Sequence, residues 1–229
     1  MTPLAPHEFW QQLYPPGSLP RPPEGYDSLF PASLPDGREI ALPIRPLPGG
    51  KGEAVASLIL NQASFAVEAA LVTALTERAS PLRLDLVVGL PTLGLALAHD
   101  LAKALGHSRY VALGTSRKFW YDSALSEPLA SITSPAEKRL YLDPRLLPLL
   151  DGRRLLLVDD VISTGRSMSA GLRLLAKAGA APVALAVAMV QTRRSEAPLA
   201  EHTPRHAPLI AAIETPLLHR TASGRWLPA

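Results

Sequence analysis

The chain has 229 residues, 47% of them hydrophobic and 19% charged, with a formal net charge of +3. This is a globular composition, long enough for one sizeable core with an appendage, and so small a charge gives no basis for a nucleic-acid partner. Cysteine is absent, which excludes disulfides, cysteine nucleophiles and Cys-ligated zinc and fits a reducing cytoplasm.

Met1–Trp10 has neither the basic nor the apolar stretch of a signal peptide. The longest apolar run, Val183–Val190, is too short to span a bilayer. A soluble, cytoplasmic protein without a membrane partner is expected.

In chain order, the first segment is rich in proline, with pairs at Pro15-Pro16 and Pro22-Pro23. Proline denies helix and lacks a ladder donor, so residues 1–50 read as an irregular extension. Phe9, Trp10, Tyr14, Tyr26 and Phe30 are its candidate anchors, and Arg38–Ile44 is a short edge strand within it. From Glu53 to Arg78 apolar residues recur at three- and four-residue steps (Val55, Leu58, Phe65, Ala69, Val72, Leu75), the spacing of an amphipathic helix. Asn61 and Gln62 interrupt that stripe, and the simplest reading turns them to solvent.

Leu84–Leu90 is a strand that ends in Pro91-Thr92-Leu93-Gly94, and a helix follows that Gly106 stops. Tyr110–Leu113 is the next strand, trailed by the basic pair Arg117-Lys118. Residues 119–138 have no period, and such a loop in a compact domain is disordered or functional. Arg139–Leu142 returns as a strand. Arg153–Asp159 is a strand with an acidic tip, its helix runs to Gly179, and Val183–Val190 is an interior apolar strand. Gln191–Pro208 reads as irregular, Leu209–Glu214 as a last strand, and the tail after 216 carries no pattern. Strands alternating with helices predict an α/β fold, a mostly parallel sheet with helices on both faces.

The chemistry concentrates at Val158-Asp159-Asp160-Val161-Ile162-Ser163-Thr164-Gly165-Arg166-Ser167. An apolar strand ends in two acids, then a short loop of Ser, Thr and Gly opens a helix. Open α/β sheets bind ligands at such strand ends. N–H groups and the helix dipole at that loop favour a phosphate. Acids beside it would repel the anion unless they address sugar hydroxyls or a shared divalent metal. The element suggests a phosphorylated sugar.

This stretch resembles the phosphoribosyl-pyrophosphate (PRPP) signature of type I phosphoribosyltransferases, with Arg166 at the place of the second glycine of its loop and Ser167 at that of the final threonine. The resemblance spans about residues 52–192 and is closest in pattern to the xanthine and adenine members. It implies the type I phosphoribosyltransferase fold with a small hood from the N- and C-terminal segments. The phosphoribosyltransferase domain would cover residues 51–216 and residues 217–229 would be a tail.

In residue terms, the resemblance implies that Val161, Ser163, Thr164, Gly165, Arg166 and Ser167 hold the 5′-phosphate. Pro91, Thr92, Leu93 and Gly94, with Arg117 and Lys118, would hold pyrophosphate. Residues 119–138 would form a lid. Leu58-Ile59-Leu60-Asn61-Gln62 is similar to the xanthine enzymes' Phe-Leu-Asn-His-Gln stretch, which makes Asn61 a base-binding candidate. Gln191 stands where those enzymes carry a Lys that addresses the base, and a neutral amide cannot supply that charge.

The implied reaction transfers ribose 5-phosphate from PRPP to a nucleobase, with a purine as the expected acceptor. Asp159, Asp160 and Lys118 are the catalytic candidates and Mg²⁺ the cofactor. The metal would be held mainly through PRPP, with Asp159 or Asp160 as the only protein candidates, and the family implies a homodimer. Two further readings stand beside it: a PRPP-binding regulator without turnover, and a phosphoribosyltransferase acting on a base outside common salvage.

Overall fold

The computed structural model describes residues 4–49, 51–129, 138–204 and 206–229. The strands and helices run β1 (Leu29–Ser33), β2 (Glu39–Pro46), β3 (Glu53–Ala56), α1 (Phe65–Ala79), β4 (Leu86–Gly89), α2 (Gly94–Ala104), β5 (Val111–Ala112) and β6 (Ser126–Pro128). They continue with β7 (Arg139–Tyr141), β8 (Leu155–Ile162), α3 (Arg166–Lys177), β9 (Pro182–Gln191), α4 (Glu196–Ala200), β10 (Leu209–Thr215), β11 (Leu217–Arg220) and β12 (Trp226–Pro228).

Five strands form a parallel sheet in the order β10-β9-β8-β4-β5. Val, Leu and Ala fill β8 and β9 because both faces are covered. Val87, Leu156 and Ala186 belong to one buried cluster with residues of α1 and α2, whereas Leu157 and Val187 belong to a second with residues of α3. Helices thus lie on both faces, as the alternating pattern predicts. Among the described residues no helix is long and apolar enough to cross a membrane.

A second, antiparallel sheet, β1-β2-β3-β11-β12, forms the hood. Here the expectation of an irregular extension over residues 1–50 is corrected. Leu19, Phe30, Leu34, Ile40 and Leu42 are buried, and β2 lies between β1 and β3 rather than at an edge. The prolines occupy tolerant places. Pro31 is on the edge strand β1, and Pro43 is the last β2 residue paired with β1 before pairing with β3 begins at Ile44. The featureless tail is likewise β11 and β12, a hairpin that joins the hood because β11 pairs with β3, more than 160 positions earlier in the chain.

The helix expected from Glu53 to Arg78 begins only at Phe65. β3 and a 3-10 turn at Leu60–Gln62 precede it, and the Ser64 hydroxyl caps it by accepting from the Val67 N–H. The buried stripe is Val67, Ala70, Leu71, Ala74 and Leu75, while Phe65 points outward. The expected loop 119–138 contains β6, paired antiparallel with β7, and the middle of that lid, 130–137, lies outside the described residues. α4 similarly breaks the stretch expected to be irregular after Gln191.

The hood's first segment is tied down by Glu39, a buried carboxylate on β2. It accepts from the Leu19 N–H at 2.9 Å and pairs with Arg21 at 2.6 Å. Replacing it by alanine leaves a buried N–H without a partner, a cost of about 1–3 kcal/mol. Glu39→Ala should lose that much in urea unfolding, and an unchanged midpoint would show that the brace contributes nothing.

Candidate active site

The site forms where β8 outruns its neighbour. Leu90 leaves β4 after its N–H donates to the Val158 carbonyl, so β8 continues through Asp159–Ile162 paired only with β9. The acids therefore lie within the strand, with Val161 and Ile162 between them and the loop, and not at a free tip. The space vacated by β4 is taken by the start of α2. A Cβ on Gly94 would stand 2.8 Å from both the Cα and Oδ1 of Asp159, so only glycine lets the helix begin there.

Asp159 is buried and Asp160 half-buried. Asp159 Oδ1 accepts from the Asp160 N–H at 3.0 Å, and among the described residues neither acid has an ion-pair partner. Burial first, then the neighbouring Asp160 charge, pushes the Asp159 carboxyl well above the usual range. Asp160 is also raised, by burial. A pair held this way lacks a counter-charge, and a hard cation with oxygen ligands or a set of sugar hydroxyls would supply what is missing.

Past Ile162 the chain bends into the loop. Gly165 adopts φ +77°, a left-handed turn at the N-terminus of α3, and its carbonyl accepts from the Ser169 N–H at 2.8 Å. A cavity of about 140 Å³ is lined here by Asp159 and by residues 161–168. Val161, Ser163, Thr164, Gly165, Arg166 and Ser167 are therefore brought together with Asp159, as the motif leads one to expect. Pro91, Thr92, Leu93 and Gly94 form the neighbouring loop on the β4 side, and the Pro91–Thr92 peptide is cis.

Other expected residues stand apart. Arg117 and Lys118 are exposed beyond the end of β5, two strands from β8. Behind them Trp120 is fixed, its Nε1 donating to Asp143 at 3.3 Å and its ring lying 4.8 Å from the Arg145 guanidinium. Arg145 also holds the Asp143 carboxyl down at about 2. Asn61 is exposed on the 3-10 turn before α1. Gln191 is tied to the hood, its Nε2 donating to the Ala56 carbonyl at 2.7 Å. Neither lines the loop cavity.

Two groups carry no sequence motif. Glu127 on β6 is buried against Arg173 and Lys177 of α3 at 3.0 and 2.7 Å, which pins the hairpin to the helix that follows the loop. The residues that follow β9, Thr192–Arg194, line a separate cavity. The doublet Arg193-Arg194 is visible in the sequence, but nothing local shows that it meets β10.

A family model described as a phosphoribosyl transferase domain matches residues 60–206. The chain belongs to this family. No curated protein matches it. Among solved structures, adenine phosphoribosyltransferase from Rhodothermus marinus superposes with a TM-score of 0.56 at 22% identity, over 75% of this chain and 93% of that one. The Giardia lamblia enzyme, solved with 9-deazaadenine, gives 0.58 at 21% identity over 74% and 92%. The Saccharomyces cerevisiae enzyme gives 0.57 at 18% over 75% and 93%. At these identities the likeness is one of fold, and that fold is the type I phosphoribosyltransferase fold.

The raised acids imply a trade between stability and ligand. A carboxyl with a folded pKa above its unfolded value binds more protons when folded, so stability falls as pH rises through the folded value. Asp159→Asn should therefore melt at or above the wild-type temperature at pH 8, with a flatter pH dependence between 5 and 8 on the order of the shift removed. A lower, equally pH-dependent melting temperature would contradict this.

Gly94→Ala should instead be destabilised by about 1–3 kcal/mol, because the added methyl overlaps Asp159. Urea unfolding reads this, and full wild-type stability would mean that the contact relaxes at no cost.

Proposed function

We propose that the protein transfers ribose 5-phosphate from PRPP to a nitrogen base, with release of pyrophosphate, and that the acceptor is a purine. The observation that carries this is the junction at the end of β8, where a buried and a half-buried acid, without a counter-charge among the described residues, adjoin a Ser/Thr/Gly loop at a helix N-terminus and the tight start of α2. Membership of the phosphoribosyl transferase domain family supports it.

In this reading the Ser163–Ser167 loop takes the 5′-phosphate through N–H groups and hydroxyls at the head of α3. Arg166 adds a cation at its rim. Asp159 and Asp160 accept from the ribose hydroxyls and favour positive charge on the ring as the C1–O bond to pyrophosphate breaks. The electron pair leaves with pyrophosphate. A ring nitrogen of the acceptor forms the new bond to C1 and loses its proton.

Pro91–Gly94 cradles the leaving group, and the Arg117-Lys118 pair closes over it, which excludes water. Asn61 faces the base from the hood side. The oxygen donors of Asp159 and Asp160 fit Mg²⁺, which when bound offsets the charge on pyrophosphate. In this reading PRPP itself would supply most of the metal's ligands. The protein works as a cytoplasmic homodimer in this reading.

The test is pyrophosphate release from PRPP and Mg²⁺ with a panel of bases, run beside a calorimetric titration of PRPP. Release with a purine is the expected result. Binding without release from any base would mark a PRPP-responsive regulator, and release with a non-purine alone would overturn the purine assignment. Ser167→Ala removes one charge-assisted bond and should raise the PRPP constant by about ten- to a hundredfold. An unchanged constant would remove Ser167 from the phosphate site.

A further inference from the structure

A cavity of about 540 Å³ opens beside the phosphate loop, and neither Asn61 nor Gln191 lines it. Its walls include Val190, Thr192, Arg194, Glu214, Pro216 and Leu217. It lies between the exits of β9 and β10 and the start of β11. Val190 is the register partner of Ile162, the residue before the loop. Ser195, next to Arg194, packs on the loop itself: a Cβ on Gly165 would stand 3.3 Å from the Ser195 Cβ. Cavity and phosphate site are therefore adjacent along one edge of the sheet.

The chain reaches this cavity through a costly bend. Thr192 is buried with φ +68°, a left-handed conformation that is an outlier for a β-branched residue. The surroundings hold it there. Its N–H donates to the Thr215 carbonyl at 2.9 Å, and its hydroxyl accepts from the Arg194 N–H at 3.4 Å and Nε at 3.3 Å. Strain that neighbours over-determine marks functional sites. Here it turns the Arg193-Arg194 doublet into the cavity instead of onward along β9.

Among the described residues Arg194 and Glu214 form no ion pair, and both are exposed. Glu214 also borders a groove of about 360 Å³ on the other side of β10. A guanidinium only donates and a carboxylate only accepts. Between apolar walls they match a flat ring that carries an amino group beside an unprotonated ring nitrogen. A ring with an oxo group at that place would set oxygen against the carboxylate.

We propose that Glu214 and Arg194 determine which base is accepted, Glu214 taking a hydrogen bond from an exocyclic amino group and Arg194 giving one to the adjoining ring nitrogen. This rests on the transfer from PRPP proposed above. Gln191, the position the family resemblance points to, is committed to the Ala56 carbonyl on the hood side.

The experiment compares matched pairs, adenine with hypoxanthine and cytosine with uracil, by pyrophosphate release and by calorimetric titration of each base. The wild type should prefer the amino member of a pair. Glu214→Gln, which can donate as well as accept, should cut that preference about tenfold or more, and Arg194→Met should raise the acceptor KM about tenfold. The KM for PRPP should stay within about twofold in both variants. The Glu214 side chain is exposed, so the melting curve of Glu214→Gln should match the wild type.

No amino preference in either measurement overturns the assignment. So does a preference that survives both substitutions and is lost in Asn61→Ala, which would place the reading edge on the hood. A wild type that binds no PRPP refutes the transfer reading itself. Normal PRPP binding and turnover with unmoved discrimination refutes only the role of this pair.

Discussion

The structure turns on the approach of α2 to β8. Helix and strand meet at Gly94 and Asp159 with no room for a side chain between them. That closeness ends β4 early, exposes the outer half of β8 to a ligand, and buries a carboxylate that has no cation to pair with. A protein selected for stability alone would place a neutral or apolar residue at position 159, since an unpaired buried charge is costly. The acids are understandable only if a ligand completes their surroundings. The stability lost at this point is a consequence of preparing a site before its ligand arrives.

The remainder of the fold supports that junction. The parallel sheet directs β4, β5, β8, β9 and β10 to the same edge, so every loop that could meet a phosphorylated sugar lies there. The hood braces the other side. Trp10 donates to the Ser57 carbonyl and Gln11 to the Gln62 carbonyl, which ties the proline-rich segment to the turn carrying Asn61. Gln191 ties β9 to the same sheet through Ala56. On the opposite face Glu127 fixes the hairpin to α3.

In the proposed reading the donor and acceptor halves of the site differ in kind. The donor half is made of contiguous residues, a strand and the loop that follows it, whose geometry needs little beyond its own backbone. The acceptor half is assembled from β9, β10, the hood and the 3-10 turn before α1. Contacts from distant segments can vary one at a time, which is how a common donor site comes to serve different acceptors. A strained threonine, with an Arg and a Glu that form no ion pair among the described residues, fits a half-site that has diverged in this way.

The residue pattern alone was enough for the α/β class, the interior position of β9 and the loop that opens α3. Apolar runs of five to eight residues, capped by acids or glycine, have few alternatives to buried parallel strands. It failed where pairing is long-range. Proline suggested irregular chain at residues 1–50 because its cost depends on whether a strand is an edge, which local sequence does not reveal. The stripe from Val55 to Leu75 mimicked one helix because a strand, a tight turn and a helix happened to share its spacing. What only the tertiary structure decided was which distant side chains share a cavity. Arg194 and Glu214 are 20 positions apart and line one cavity because β9 and β10 run in register. Register is set by packing on both faces of the sheet, a property of the whole fold that no single stretch of residues contains.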